Sequence, residues 1–295
     1  MKMRWQDAAF DVFNIGVLTI LMVVTLYPFL HVLAFSLNDA VDSMRGGLTV
    51  WPRKFTFANY GVIFRYDALI DASVMSVLRT VVGTVTSVLC TAMLAYSLCK
   101  KDLIGYKFFN SLFIMTMFLY GGLIPTFILF KTIHIYNSFW VYIIPGLISA
   151  FNMILLRTNF KAIPESLIES AYIDGANDIY VFFRIILPLS TPIIATIGLF
   201  VAVGQWNSWQ DTLFFTVNGK LQTLQYVLMK ILNQTEAGAM INQMKSSMAR
   251  RGMVKVTPEA VKMAITMVAT VPILCVYPFI QKYFVKGMLL GSIKG

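Results

Sequence analysis

The sequence predicts an all-α integral membrane fold of about six transmembrane helices, and three observations carry that prediction. Of its 295 residues, 58% are hydrophobic, with a mean hydropathy of +0.72. A soluble domain of this length cannot bury so much apolar surface, whereas a polytopic membrane chain leaves it facing lipid. The apolar residues also fall into runs of about 20, the length a helix needs to cross a hydrocarbon core. Finally, Pro28, Pro125, Pro145, Pro272 and Pro278 stand inside these runs, as helices in a membrane tolerate.

In chain order the spans are expected at Val12–Leu37, Ala72–Leu98, Phe108–Phe130, Phe139–Leu156, Leu189–Trp209 and Val261–Phe284. Lys2 and Arg4 ahead of the first run imitate a secretory signal. That run is too long for a signal core and many similar runs follow, so it reads as an uncleaved first span. No internal repeat, low-complexity tract or second domain stands out, and residues 1–295 are expected to form a single membrane domain.

The basic balance, 24 Lys+Arg against 14 Asp+Glu, gathers into no arm or stripe, so no nucleic-acid partner is expected. Lys100, Lys101 and Lys107 crowd one short loop, Arg157, Lys161 and Arg184 flank another, and Lys282, Lys286 and Lys294 mark the tail. All fall on one side with Lys2 and Arg4. Cations on the other side, among them Arg45, Arg53, Lys54, Arg65, Lys245, Arg250, Arg251 and Lys255, are spread over two long loops, where charge weighs less on topology. Both termini are therefore expected in the cytoplasm, with lipid as the surrounding partner.

Several chemistries are disfavoured. Cys90, Cys99 and Cys275 lie in or beside apolar segments without a C-x-x-C, and His31 and His134 stand alone, so neither a disulfide framework nor a metal site is expected. No Asp or Glu lies well inside a span, whereas an ion-coupled carrier needs an ionisable group there. Arg79 is the one firm charge within a span, and its position near the outer end predicts snorkelling to the headgroups. No phosphate-binding glycine loop occurs, and "NGKLQT" lacks the second glycine and the hydroxyl that one needs. No nucleophile elbow or paired carboxylate suggests an enzyme.

One polar stretch, residues 162–188, interrupts the apolar flow. Pro164 suits the first turn of a helix, and Ser166 with Glu169 has capping-box spacing. Leu167, Ile168, Ala171 and Tyr172 recur at helical spacing as an apolar stripe. Asp174-Gly175 is a stop, with Gly175 free to take positive φ, and Asn177 or Asp178 caps a second short helix through "IYVFFRII". Two short helices joined at a glycine elbow follow. Their exposed stripe fits either a partner's groove or the lipid headgroup surface.

The same stretch resembles the cytoplasmic "EAA" loop of ABC importer permeases of the carbohydrate-uptake, maltose-permease-like family. Glu169-Ser170-Ala171, Gly175 and Ile185-Ile186-Leu187-Pro188 keep every spacing of its E-A-A, three residues, Gly, nine residues, I-x-L-P pattern. Ser170 replaces one small Ala by another small residue. "YIDGA", Tyr172–Ala176, looks like the carbohydrate branch, "QWNSWQDTLFF" is similar to the W-N segment of sugar permeases, and "YPFIQKYFVKGMLLGSIKG" resembles the ending of a subgroup importing complex, including uronate-containing, oligosaccharides. The resemblance implies a coupling loop that docks on a cytoplasmic ATPase, with Glu169, Ser170, Ala171, Tyr172, Asp174, Gly175, Ala176, Ile185, Leu187 and Pro188 as its functional residues. It implies a second homologous permease, two ATPase subunits that bind the ATP and Mg, an extracytoplasmic solute-binding protein and an oligosaccharide substrate. The chain itself is then a multi-pass inner-membrane protein of a bacterium, with no bound cofactor. An ion-coupled carrier, and an ABC permease for a non-sugar solute, are the alternatives.

Gln205, Trp206, Asn207, Trp209, Gln210 and Asp211 cluster at the outer end of the fifth expected span. Aromatic faces stack on sugar rings, and amides or carboxylates hydrogen-bond hydroxyls; Trp at a membrane interface equally serves as an anchor. Asn152, inside the fourth span, either lines a path or bonds a neighbouring helix. The loop from Thr216 to Glu259 carries the basic run "KSSMARRGMVK", which either meets a binding protein, as the resemblance implies, or attracts an acidic sugar, or is simply solvated.

Overall fold

The computed structural model describes residues 5–64, 67–100, 102–119, 121–233 and 257–292. The architecture is all-helical: among these residues the sole β pairing is an isolated bridge between Asn38 and Phe55. Among the described residues three helices are long and apolar enough to cross a membrane unbroken, namely Phe10–Ser36 within Trp5–Ser36, Asp67–Ser97, and Pro258–Val276 within Pro258–Ser292. At 1.5 Å per residue the 31-residue Asp67–Ser97 helix is about 46 Å long, more than a hydrocarbon core requires.

Two of the other expected spans are broken, each with a local cause. The expected Phe108–Phe130 helix is two helices, Tyr106–Thr116 and Leu123–Thr132. Gly121 and Gly122 lie between them, and Gly122 at φ +81° leaves helical space altogether. The expected Phe139–Leu156 helix begins as two 3₁₀ turns around Pro145 and bends by 48° into Ala150–Phe160. Thr191–Asn207 matches the fifth expected span, but an 84° bend joins it to Asp178–Leu189 ahead of it. Counting each bent pair that passes the length and hydropathy test as one crossing gives five.

The chain divides into two compact units, Met1–Ile70 with Leu228–Val271, and Asp71–Val227 with Pro272–Gly295. In the first, the segment after Trp5–Ser36 folds around Asn38, whose side chain is fully buried. Its amide donates to Asp42 at 3.0 Å and Ser43 at 2.9 Å, and its carbonyl accepts the backbone N–H of Lys54 at 2.7 Å. Asp42 also pairs with Arg53 at 2.9 Å. In the second unit one apolar cluster gathers Tyr96, Leu98, Leu156, Phe160, Phe182 and Ile197, and another gathers Phe130, Tyr142 and Phe215.

A further helix, Leu224–Leu232, lies in the region read as an open loop from Thr216 to Glu259. The basic run Lys245–Lys255, with Lys2, Arg4, Arg65, Lys101 and Lys294, lies outside the described residues.

Replacing Asn38 by Leu leaves the Lys54 N–H without its acceptor and takes from the Asp42 carboxylate one of its two side-chain donors, Arg53 remaining. The expected loss is about 1–3 kcal/mol, read as a lower unfolding temperature of the detergent-solubilised protein and faster protease cleavage between residues 37 and 57.

Candidate functional site

The stretch 162–188 folds as a stiff two-helix element. Glu165–Ile173 starts one residue later than a proline in the first turn would place it, because Pro164 is the N-cap with ψ 128°. It ends in a Schellman turn: the N–H of Ala176 bonds to the Ala171 carbonyl at 2.9 Å, and that of Gly175 to the Tyr172 carbonyl at 3.0 Å. Gly175 supplies the required positive φ, +83°. Asn177, rather than Asp178, caps the next helix, its side chain accepting the Tyr180 N–H at 2.8 Å. Asp178–Val181 then runs into a π-helical turn, Phe182–Ile186, which lies across the buried cluster through Phe182 and Ile186.

The outward face of this element mixes apolar and charged groups. Ile173 is 85% exposed and Ile179 69%, beside exposed Leu167 and Tyr180, with Glu169, Asp174 and Arg184 exposed among them. A cavity of about 520 Å³ opens at the elbow, lined by Ala171, Asp174, Gly175, Ala176, Asn177, Tyr180, Arg184 and Ile185. Such an exposed apolar patch within a charged rim is an interaction surface. Ile168, Ala171, Ala176, Ile185 and Leu187 also pack against the buried cluster. Ser170 turns its hydroxyl back to the Ser166 carbonyl at 2.8 Å, and Pro188 stands at the start of the short turn Leu187–Leu189.

Lys100, just past the end of the Asp67–Ser97 helix, reaches this element. Its ammonium donates to the Asp178 carboxylate and, at 3.1 Å, to the Tyr172 hydroxyl. The Tyr172 hydroxyl in turn donates to Asp178 at 2.5 Å, and the Tyr96 hydroxyl lies 3.4 Å from that of Tyr172. The Lys100 ammonium first, and the Tyr172 hydroxyl second, hold the Asp178 carboxyl below the usual carboxylate range. A depressed carboxylate pKa contributes stability above its unfolded value of about 3.9 and loses it as the pH falls through the folded value. The contact is therefore complete at neutral pH and lost only in strong acid.

The second candidate region is a cavity of about 630 Å³ whose lining includes Arg79, Thr126, Tyr142, Ser149, Gln205, Ser208, Gln210 and Asp211. Arg79 overturns the snorkelling expectation: its side chain is 2% exposed. Its guanidinium donates to both Asp211 carboxylate oxygens, at 3.1 and 2.5 Å, to the Gln205 side-chain carbonyl at 3.0 and 3.1 Å, and to the Ser208 carbonyl at 3.2 Å. It also lies 4.4 Å from the centroid of the Tyr142 ring. Gly83, one helical turn on, makes room for this arrangement, since a Cβ there would meet the Gln205 carboxamide at 2.8 Å.

The structure thus brings Gln205, Gln210 and Asp211 together and leaves the other candidates elsewhere. Trp206 lines a separate apolar cavity of about 180 Å³ with Val77, Leu199 and Pro272. Asn207 accepts the Gln225 amide at 3.1 Å. Trp209 precedes the Gln210–Phe215 helix as its N-cap residue. Asn152 is buried near the start of Ala150–Phe160, its N–H bonded to the Ser149 hydroxyl at 3.3 Å. Sequence reasoning missed Tyr142 and Lys100. Lys100 carried a signal, being a cation just past a helix end beside the polar stretch, whereas Tyr142 carried none. Among the described residues no three His, Cys, Asp or Glu gather as metal ligands.

An apolar, all-helical chain that presents an exposed two-helix element and, separately, a polar cavity has the parts of a membrane transport subunit. Residues 4–290 match the model of the binding-protein-dependent transport system inner membrane components, and the chain belongs to that family. The polygalacturonan/rhamnogalacturonan transport system permease protein YtcP of Bacillus subtilis (strain 168) is 39% identical over 291 residues, 98% of this chain and 100% of that protein. Protein LplC of the same organism is 37% identical over 292 residues, 97% of this chain and 95% of that one. Among solved structures, a bacterial ABC transporter involved in the import of the acidic polysaccharide alginate matches with TM-score 0.83 and 27% identity, over 95% of this chain and 98% of that one. The chain is accordingly a permease subunit of an ABC importer, a transport component and not an enzyme. The ion-coupled carrier is set aside by the same finding.

Removing either partner of the Arg79–Asp211 pair leaves a charge with too few contacts. Arg79→Ala is expected to cost about 3–5 kcal/mol, and Arg79→Lys also loses most of the bidentate geometry. Both are read as lower unfolding temperatures in detergent, the alanine variant lower than the lysine variant.

Proposed function

We propose that this chain is one of two similar permease subunits of an ATP-driven bacterial importer of oligosaccharides, uronate-bearing ones among them. Two cytoplasmic ATPase subunits bind the ATP and Mg, and an extracytoplasmic binding protein delivers the sugar. The stretch 162–188 is the coupling element, with Glu169, Tyr172, Asp174, Gly175 and Ala176 at its elbow. The observation that carries this reading is the elbow itself: a Schellman turn at Gly175, rigidly hydrogen-bonded, that holds Ile173, Ile179, Asp174 and Arg184 outward. A partner's cleft that closes on ATP binding needs such a stiff, two-natured protrusion to push against.

The membrane arrangement we assign has six crossings. The broken pair Tyr106–Thr116 and Leu123–Thr132 adds the sixth to the five counted above. An even number places both termini on one side, which the short-loop cations Lys100, Lys107, Arg157 and Lys161 make the cytoplasm. For the sugar we assign a path along the cavity lined by Gln205, Gln210, Asp211 and Tyr142; its volume lies within the roughly 300–1,000 Å³ of ligand pockets. Asn207 and Trp209 lie next to these residues in sequence, and Asn152 and Trp206 complete the proposed set. Arg79 is saturated by its own partners, so recognition there rests on hydroxyl groups rather than on the sugar's acid. Support for acidic cargo comes from the relatives: one is named for polygalacturonan and rhamnogalacturonan, and the structural neighbour imports alginate.

Gly175→Val tests the coupling role cleanly, because a Cβ at Gly175 meets nothing within 4 Å and acts through φ alone. The strain of about 1–3 kcal/mol is expected to leave membrane insertion at the wild-type level. Uptake of oligogalacturonate should fall at least about fivefold per molecule of ATP hydrolysed. Wild-type uptake at wild-type expression counts against the coupling role, and uptake that prefers neutral oligosaccharides counts against the acidic cargo.

A further inference from the structure

The elbow has a second anchor besides its buried apolar face. Lys100 lies three residues beyond the last residue of the Asp67–Ser97 helix, and its own N–H is bonded to the Ser97 carbonyl at 3.3 Å. The N–H groups of Leu98 and Cys99 are bonded back to Leu94 and Tyr96 in the same way, so the backbone of Lys100 moves with that helix. Its ammonium grips both arms of the coupling element at once: Tyr172 on the helix before Gly175, and Asp178 at the first position of the helix after it. Tyr172 closes the triangle by donating to Asp178. The Tyr96 ring lies 5.4 Å from the ammonium and 5.5 Å from the Phe182 ring below.

Two kinds of contact therefore hold the element to the helix. Beneath it, Tyr96, Val181 and Phe182 with Ile168, Ala171 and Ala176 form an apolar pad. Burial of that kind is strong but non-directional, and it permits sliding. On its rim the Lys100 triad is directional, with three polar atoms fixing one another. The Lys100 side chain is 37% exposed and that of Asp178 59%, and an ion pair so open to water adds little to stability. Its remaining contribution is geometric.

We propose that Lys100 is a positioning residue for energy coupling, clamping Tyr172 and Asp178 so that the angle of the coupling element is fixed to the Asp67–Ser97 helix. The inference rests on the coupling role assigned above to residues 162–188. A push on Ile173 or Ile179 then moves the end of the Asp67–Ser97 helix instead of skating the element over its apolar pad. Without the clamp the ATPase partners still bind and turn over, but less of each stroke reaches the helices.

The test uses the whole complex, co-purified with its ATPase and second permease subunits and reconstituted in proteoliposomes with its binding protein and oligogalacturonate. Sugar moved per ATP hydrolysed is compared for wild type, Lys100→Met, Asp178→Asn, their double variant and Lys100→Arg. The ratio is expected to drop roughly two- to tenfold in each single variant and no further in the double, because both remove one interaction. Lys100→Arg, which keeps the charge and the donors, should recover most of it. A ratio unchanged in Lys100→Met, or losses that multiply in the double variant, overturns the proposal. Hydrogen exchange of the same complex without cargo gives an independent reading. The amides of Gly175, Ala176 and Val181 should exchange roughly two- to tenfold faster in Lys100→Met, and unchanged exchange also overturns the clamp. Faster exchange in Lys100→Met, beside a wild-type complex that hydrolyses ATP yet moves no oligogalacturonate, upholds the clamp and refutes the proposed cargo.

Discussion

A guanidinium buried among apolar helices has few stable solutions, and Arg79 has found one that organises much of what surrounds it. Taking such a charge out of water costs several kcal/mol unless a counter-charge and enough acceptors meet it. Asp211 supplies the charge, Gln205 and Ser208 supply oxygens, and Tyr142 offers its ring face. These groups come from separate helices and turns, so satisfying Arg79 dictates where the Thr191–Asn207 helix must stop. The helix ends two residues after Gln205, and Ser208 turns out of it to expose its carbonyl. Gly83 follows from the same constraint, since nothing larger lets Gln205 approach. The 630 Å³ cavity is the space left beside this polar knot.

Rigidity recurs in the two-helix stretch 162–188, by different means. Backbone hydrogen bonds hold its elbow, through the Schellman bonds at Gly175 and Ala176 and the Asn177 cap. Its inner face is apolar and its rim is polar, so the element is both held down and aligned. Only the outward side chains remain uncommitted: among the described residues neither Glu169 nor Asp174 takes part in an ion pair.

The sequence disclosed these features unevenly, for physical reasons. Hydropathy located the three unbroken membrane helices, because lipid demands long apolar runs whatever the neighbours are. Local chemistry disclosed the elbow: a glycine after a helix and an Asn-Asp pair before the next are signals read within a few residues. Breaks were harder. Gly121-Gly122 leaves the hydropathy of Phe108–Phe130 almost untouched while ending a helix within it. Arg79 was misread because its counter-charge lies 132 residues away, beyond the reach of any local pattern. The Leu224–Leu232 helix showed its period in Leu224, Val227, Leu228 and Ile231, all buried, but nine residues are too few for a search tuned to membrane-crossing lengths. Lys100 looked like an ordinary topology-setting cation, because its contacts Tyr172 and Asp178 lie 72 and 78 residues away in sequence.

The bend ahead of the Thr191–Asn207 helix gives the molecule a bell crank. Two arms set at 84° turn a thrust along one into a sweep across the other, provided the corner itself does not flex. Here it is braced: the Ser190 N–H is shared between the Ile186 and Leu187 carbonyls at 3.0 and 3.2 Å, the Ser190 carbonyl accepts the N–H of Ile194 at 3.0 Å, and the Thr191 hydroxyl bonds to Pro188 at 2.7 Å. The short arm carries Asp178, and the long arm ends beside Gln205. A corner of this kind turns a small travel at the tip of the short arm into a wider arc at the tip of the long one, in the ratio of the arm lengths, 17 residues against 12 in the two helices it joins.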